Sequence, residues 1–254
     1  MIMNASSPST VHGQDRQPMH MVWSLIVWVA LFLWQEGAVA AERAGSPDAA
    51  AGSWTAATDL ARPPDLPTVG KWMIAADGTP AHWMGQTYEG KPLREPINVI
   101  IIDEGAASAA QASALLVSAA AEAGYPVRMG HSTGYRAYLG DQAYSQIPRG
   151  WDDALSDDPF ELSNNHGRLF GPHRTPRGYV LTGAFSREEV DLFRWPGHRY
   201  ASFVKARDDF AERLARTSRY RLIGFVSLDN AAIDDPEVST GDHDGNAALL
   251  AASR

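Results

Sequence analysis

Apolar residues fall into three kinds of run along this chain, and each kind predicts a different element. The first is Met21 to Trp34, MVWSLIVWVALFLW, which carries no charge. A helix of that length rises about 21 Å, short of a ~30 Å hydrocarbon core. The small-x-small pattern Ala38-Val39-Ala40 follows it. Such a run before such a site predicts a secretory signal peptide over residues 1–40, with Arg16 the only basic side chain of its n-region. The same run also reads as an uncleaved signal anchor or as a buried core helix. The second kind is β-branched: Ile97-Asn98-Val99-Ile100-Ile101-Ile102-Asp103 predicts a strand buried on both faces.

The third kind has helical spacing. Ser108 and Gln111 form a capping box before a helix to about Ala123. Ala112, Leu115, Leu116, Ala119 and Ala123 make its stripe, and Gly124 ends it. A second helix is predicted from about Ala201 to Thr217, with Phe203, Ala206, Phe210 and Leu214 inward. Asp209–Arg213 and Glu212–Arg216 lie outside it at i,i+4. Gly167–His173 and Gly178–Ser186 read as paired strands around Arg174-Thr175-Pro176-Arg177, and Tyr220–Leu228 as a last strand. Short strands are expected near Trp72–Ile74 and Pro126–Met129, with turns at Asp77-Gly78-Thr79-Pro80 and Glu89-Gly90.

Residues 41–68 are rich in Ala, Pro, Ser, Asp and Gly and read as a flexible linker. A single domain is then expected over 69–254, with the polar, turn-rich stretch 130–165 as an insertion. The strong elements run strand, helix, strand, strand, helix, strand. That order predicts an α+β fold, a split βαβ (ferredoxin-like) plait with both helices on one face and a long insertion after the first helix. A sandwich of unrelated topology is the alternative.

The Pro96–Ile100 strand Pro-Ile-Asn-Val-Ile, the stretch Asn165-His166-Gly167-Arg168-Leu169-Phe170, and Tyr179-Val180-Leu181-Thr182-Gly183-Ala184-Phe185-Ser186 form a further pattern. It continues into His198 and Ala206-Arg207-Asp208-Asp209-Phe210. From Pro96 to Leu228 the chain resembles the C-terminal domain of LssY-type envelope proteins. The resemblance implies an envelope setting and a similar fold, and it transfers no catalytic residue.

Composition narrows the chemistry. Zero cysteines among 254 residues exclude thiolate nucleophiles, zinc–cysteine sites and disulfides. A net charge of −8 argues against a nucleic-acid partner, which needs a basic footprint. A Gly-x-Ser-x-Gly elbow set between a buried strand and a helix is missing, as are His-Glu-x-x-His, P-loop and dinucleotide fingerprints. Gly130-His131-Ser132-Thr133-Gly134 has only the outline of a hydrolase elbow, following no convincing buried strand.

Three clusters carry candidate chemistry. In Asn164-Asn165-His166-Gly167-Arg168, strand alternation puts His166, Arg168 and Phe170 on one face and His173 on the other, unless Gly171-Pro172 makes a bulge. With a bulge, His166 and His173 converge on a metal or an oxyanion, and Arg168 supplies an anion fork. Otherwise His166 and Arg168 bond to backbone and to acids such as Glu161. Asp242 and Asp244, flanking His243, offer hard oxygen donors or form a solvated turn. Asp157, Asp158 and Glu161 are general acid–base candidates or a helix-start turn. His198 either lines the His166 pocket or caps the second helix, and Tyr135 and Tyr138 offer a binding surface or pack within their loop.

The ligand-binding set expected from sequence is therefore His166, Arg168, His198, Asn165 and Tyr135. The expected set for a divalent metal is His166, His173, Asp242 and Asp244. The leading expectation is an exported domain, periplasmic or secreted, that binds a ligand or an envelope partner. It meets the membrane only if an uncleaved signal anchors it in the inner membrane. The alternative is a metal-assisted hydrolase of phosphorylated or glycan material.

Overall fold

The computed structural model describes residues 59–150, 153–193 and 197–253. The leader expected at 1–40 lies outside them. Among the described residues, no helix is long and apolar enough to cross a membrane. In chain order come β1 (Leu60–Ala61), β2 (Val69–Gly70), β3 (His82–Tyr88), β4 (Lys91–Arg94), β5 (Val99–Asp103) and helix α1 (Ala109–Glu122). Then follow β6 (Val127–Arg128), β7 (Arg136–Leu139), β8 (Gln142–Ile147), β9 (Ala154–Ser156), β10 (Asn164–Thr175) and β11 (Gly178–Val190). β12 (His198–Ser202), helix α2 (Phe203–Thr217), β13 (Arg221–Ser227) and β14 (Asn246–Ala252) complete the order.

β3 and β4 form a separate hairpin. The other strands join one 12-stranded sheet whose main path is β1-β2-β7-β8-β10-β11-β5-β14-β13, with β12 beside β11 and the β6–β9 pair beside β10. All pairings are antiparallel except that of β5 with β14. β5 is buried on both faces, as its β-branched run predicts. On one side Val99 and Ile101 pack with Leu116 and Ala120 of α1 and with Phe210 and Leu214 of α2. On the other, Ile100 and Ile102 pack with Met73, Leu139, Tyr144 and Phe170, because the sheet curls its β1–β8 end over that face.

The helices obey their local signals. Ser108 Oγ caps α1 by accepting from the Gln111 backbone N–H at 3.1 Å, and Gln111 Oε1 accepts from the Ala107 N–H at 2.6 Å. Arg213 pairs with Asp209 at 2.9 Å, one turn apart on α2.

The ferredoxin-like plait expected from the element order is overturned. The chain is mostly β, a large curled mixed sheet with two helices among the described residues. Two stretches account for the difference. Residues 130–165 hold β7, β8 and β9, whose pairings extend the sheet, so they are part of its body. Asn246-Ala-Ala-Leu-Leu-Ala-Ala, which lies beyond the last strand expected from sequence, is β14, a central strand between β5 and β13. Its small side chains suit burial beneath helices and hide it from β-propensity. Leu60–Ala61, within the stretch expected as linker, also pairs into the sheet as β1.

Candidate metal centre

Strand pairing builds the candidate site. In β10 the alternate residues Asn164, His166 and Arg168 share a face. Across the ladder, Asn164 stands opposite Glu188 and His166 opposite Ser186 of β11. The third contributor, His131, comes from the loop between β6 and β7. Gly130 allows that loop its path: its φ is +101°, and a Cβ there would stand 2.8 Å from the Phe160 Cβ. His131 stacks on His166 with ring centroids 4.7 Å apart, and Phe160 packs edge-on to His131 and against His198.

His131, His166 and Glu188 are all buried, and each offers one donor atom within 4.8 Å of the others. One side chain orients two of them. Asn164 Nδ2 donates to Glu188 Oε1 at 2.6 Å, while Asn164 Oδ1 faces His166 Nδ1 at 3.1 Å. The amide orientation makes Nδ1 the protonated ring nitrogen of His166 and leaves the Nε2 lone pair for another partner. Ser186 Oγ lies 3.3 Å from that Nε2 and accepts from Trp83 Nε1 at 3.0 Å. His131 Nε2 and His198 Nδ1 are buried without a hydrogen-bond partner. His198 Nδ1 stands 3.6 Å from Glu188 Oε1, beyond hydrogen-bond range.

Burial sets the protonation. Desolvation pushes His131 down to about 4, with the Arg168 and His198 charges adding to the effect. It holds His166 well below its ordinary value and lowers His198, against the pull of Glu161. Desolvation raises Glu188 to about 7, opposed by its bond from Asn164 and by Arg168. The imidazoles are therefore neutral near pH 7, with lone pairs free of competing protons. Two imidazoles and a carboxylate suit zinc-class divalent ions. Ligands on a tetrahedral ion with ~2.0–2.2 Å bonds lie about 3.4 Å apart, so movements of about 1 Å bring these donors onto one ion.

Of the residues singled out by sequence, His166, Arg168, His198 and Tyr135 share one region. The Arg168 guanidinium lies over the Tyr135 ring at 4.8 Å and donates to the Ser132 carbonyl at 2.7 Å. Asn165 faces the opposite side of the sheet, where it donates to Asp157 at 2.8 Å and to Asp209 of α2 at 3.4 Å. The bulge after Phe170 does form, as a register shift before His173. However, His166 and His173 lie about 20 Å apart along an extended strand, and His173 meets Tyr144 at 3.0 Å instead. Asp242 accepts from Tyr200 Oη at 2.5 Å, the Phe203 N–H at 2.8 Å and Ser202 Oγ, holding the start of α2. Asp244 pairs with Arg207 at 2.6 Å.

Two members of the cluster escaped the sequence reading. Glu188 lies two residues beyond the predicted end of its strand, on the same face as Ser186; longer alternation would have signalled it. His131 lies 35 residues before His166 in a stretch without periodicity, and only the loop's path brings it in. No family model, curated protein sequence or solved structure matches the chain.

Proposed function

We propose that the protein is a metal-dependent hydrolase acting outside the cytoplasm, with a divalent ion held by His131, His166 and Glu188. One observation carries the reading: three buried donors of zinc type converge within 4.8 Å, with both imidazoles uncharged. When bound, such an ion supplies Lewis-acid polarisation of a substrate oxygen and activates water for attack.

The chain's own groups fit that task. Asn164 fixes the His166 tautomer and steadies Glu188, as outer-shell partners of metal ligands do. His198, neutral and next to Glu188, is placed to take a proton. Arg168, buried beside the cluster, supplies positive charge for a phosphorylated or anionic glycan substrate. The extracytoplasmic setting belongs to the proposal. It rests on the apolar leader with its Ala38-Val39-Ala40 site and on the LssY-type resemblance; N-terminal sequencing of the exported protein is expected to begin at Ala41, and an intact leader in a cytosolic fraction would reject the setting.

Calorimetric titration of metal-stripped protein with Zn²⁺ tests the reading. One ion per chain is expected. His131→Ala or Glu188→Gln is expected to weaken binding at least about 100-fold, and Asn164→Ala by roughly 10–100-fold. Absence of saturable binding in the unaltered protein rejects it.

A further inference from the structure

We propose that the cleft beside the cluster admits a small phosphate-bearing molecule, whose anionic group is held by Arg168 and Arg149. The inference deepens the proposed function by naming its substrate class. It starts from Arg168, which is only 3% exposed. Among the described residues this guanidinium makes no ion pair; Nε and Nη2 both donate to the Ser132 carbonyl, at 3.2 and 2.7 Å. A buried cation without a counter-charge is costly, and a guanidinium fork matches the oxygens of a phosphate. Its charge acts on two buried acids, Glu95 and Glu188, but neither carboxylate comes within ion-pair distance of it.

Tyr135 lies between Arg168 and a surface cleft. Its ring lies beneath the guanidinium and also lines a cleft of about 390 Å³, together with Thr133, Arg136, Ser145, Gln146 and Arg149. That volume falls within the range of small-molecule sites. Arg149 is exposed at the cleft and makes no ion pair among the described residues. The loop that lines the cleft with Thr133 and Tyr135 also carries His131 of the candidate metal centre. Two guanidiniums, one on each side of Tyr135's contacts, match the double charge of a phosphomonoester better than the single charge of a carboxylate.

The test titrates the full chain with inorganic phosphate and phenyl phosphate, with acetate as control, before and after metal removal by chelation. Saturable binding of both phosphates is expected, surviving chelation and exceeding acetate affinity at least tenfold. Arg149→Ala, a surface change, is expected to weaken it about tenfold while Zn²⁺ stoichiometry stays at the unaltered value. Arg168→Gln is expected to abolish it. No phosphate binding, equal binding by Arg149→Ala, equal affinity for acetate, or loss of binding on chelation would each overturn the inference. Phosphate binding in a chain that takes up no metal would instead leave it standing and reject only the hydrolase reading.

Discussion

Burying a ring nitrogen without a hydrogen-bond partner costs free energy, and the chain does so at His131 Nε2, His198 Nδ1 and His243 Nδ1. The first two flank Glu188, where a bound ion would use the His131 lone pair and His198 would take a proton. His243 lies elsewhere and is structural: Asn230 Nδ2 donates to the Lys71 and Ile97 carbonyls, so its Oδ1 accepts from His243 Nε2 at 2.8 Å. Desolvation lowers His243 to about 4, with the Arg207 charge adding and the Asp244 and Asp242 charges opposing. A depressed folded value means that the unfolded chain binds the proton first as pH falls. Stability from this group is therefore full above about 6.5 and is lost on acidification towards 4, by about 3 kcal/mol in all. Denaturant unfolding of His243→Gln between pH 7 and 4 is expected to show a shallower decline than the unaltered chain. Parallel curves would contradict the assignment. At this scale the sequence exposed what neighbours along one strand reveal, namely His166 and Arg168. It hid Glu188 and His131, which reach the cluster only through strand pairing and the path of a loop.

Elements are positioned by side chains from far along the chain. Helix α2 starts where Asp242 gathers Tyr200 Oη, Ser202 Oγ and the Phe203 N–H, and Ser202 Oγ in turn accepts from the Lys205 N–H at 2.9 Å. A carboxylate there also complements the positive end of the helix. Asp242→Ala is expected to cost about 2 kcal/mol in thermal or denaturant unfolding. The same variant is expected to keep its Zn²⁺ stoichiometry, because Asp242 serves the helix. Loss of the ion with no change in stability would restore Asp242 to the ligand set expected from sequence. The helices themselves were legible, since capping and a 3.6-residue stripe are local signals. β14 was not: a run of alanines and leucines suits either helix or strand until its neighbours decide.

For the whole molecule, the lesson of β14 is architectural. It is the parallel neighbour of β5 and carries β13, so it joins the C-terminal hairpin to the sheet. Its Ala248, Leu250 and Ala252 complete the core under both helices. A chain ending at Gly245 is therefore expected to lose cooperative thermal unfolding, followed by near-ultraviolet circular dichroism, and a sharp transition in that variant would refute the placement. The curled sheet also explains how one face serves two ends. The β1–β8 strands roof the apolar middle, while the Asn164 end of β10 and the far end of β11 hold the polar cluster beneath Phe160. Anomalous X-ray scattering at the zinc edge, from crystals grown with Zn²⁺, addresses that cluster most directly. The account predicts a single strong peak within ~2.0–2.2 Å of donor atoms of His131, His166 and Glu188. A peak confined to surface histidines, or none at all, would contradict it.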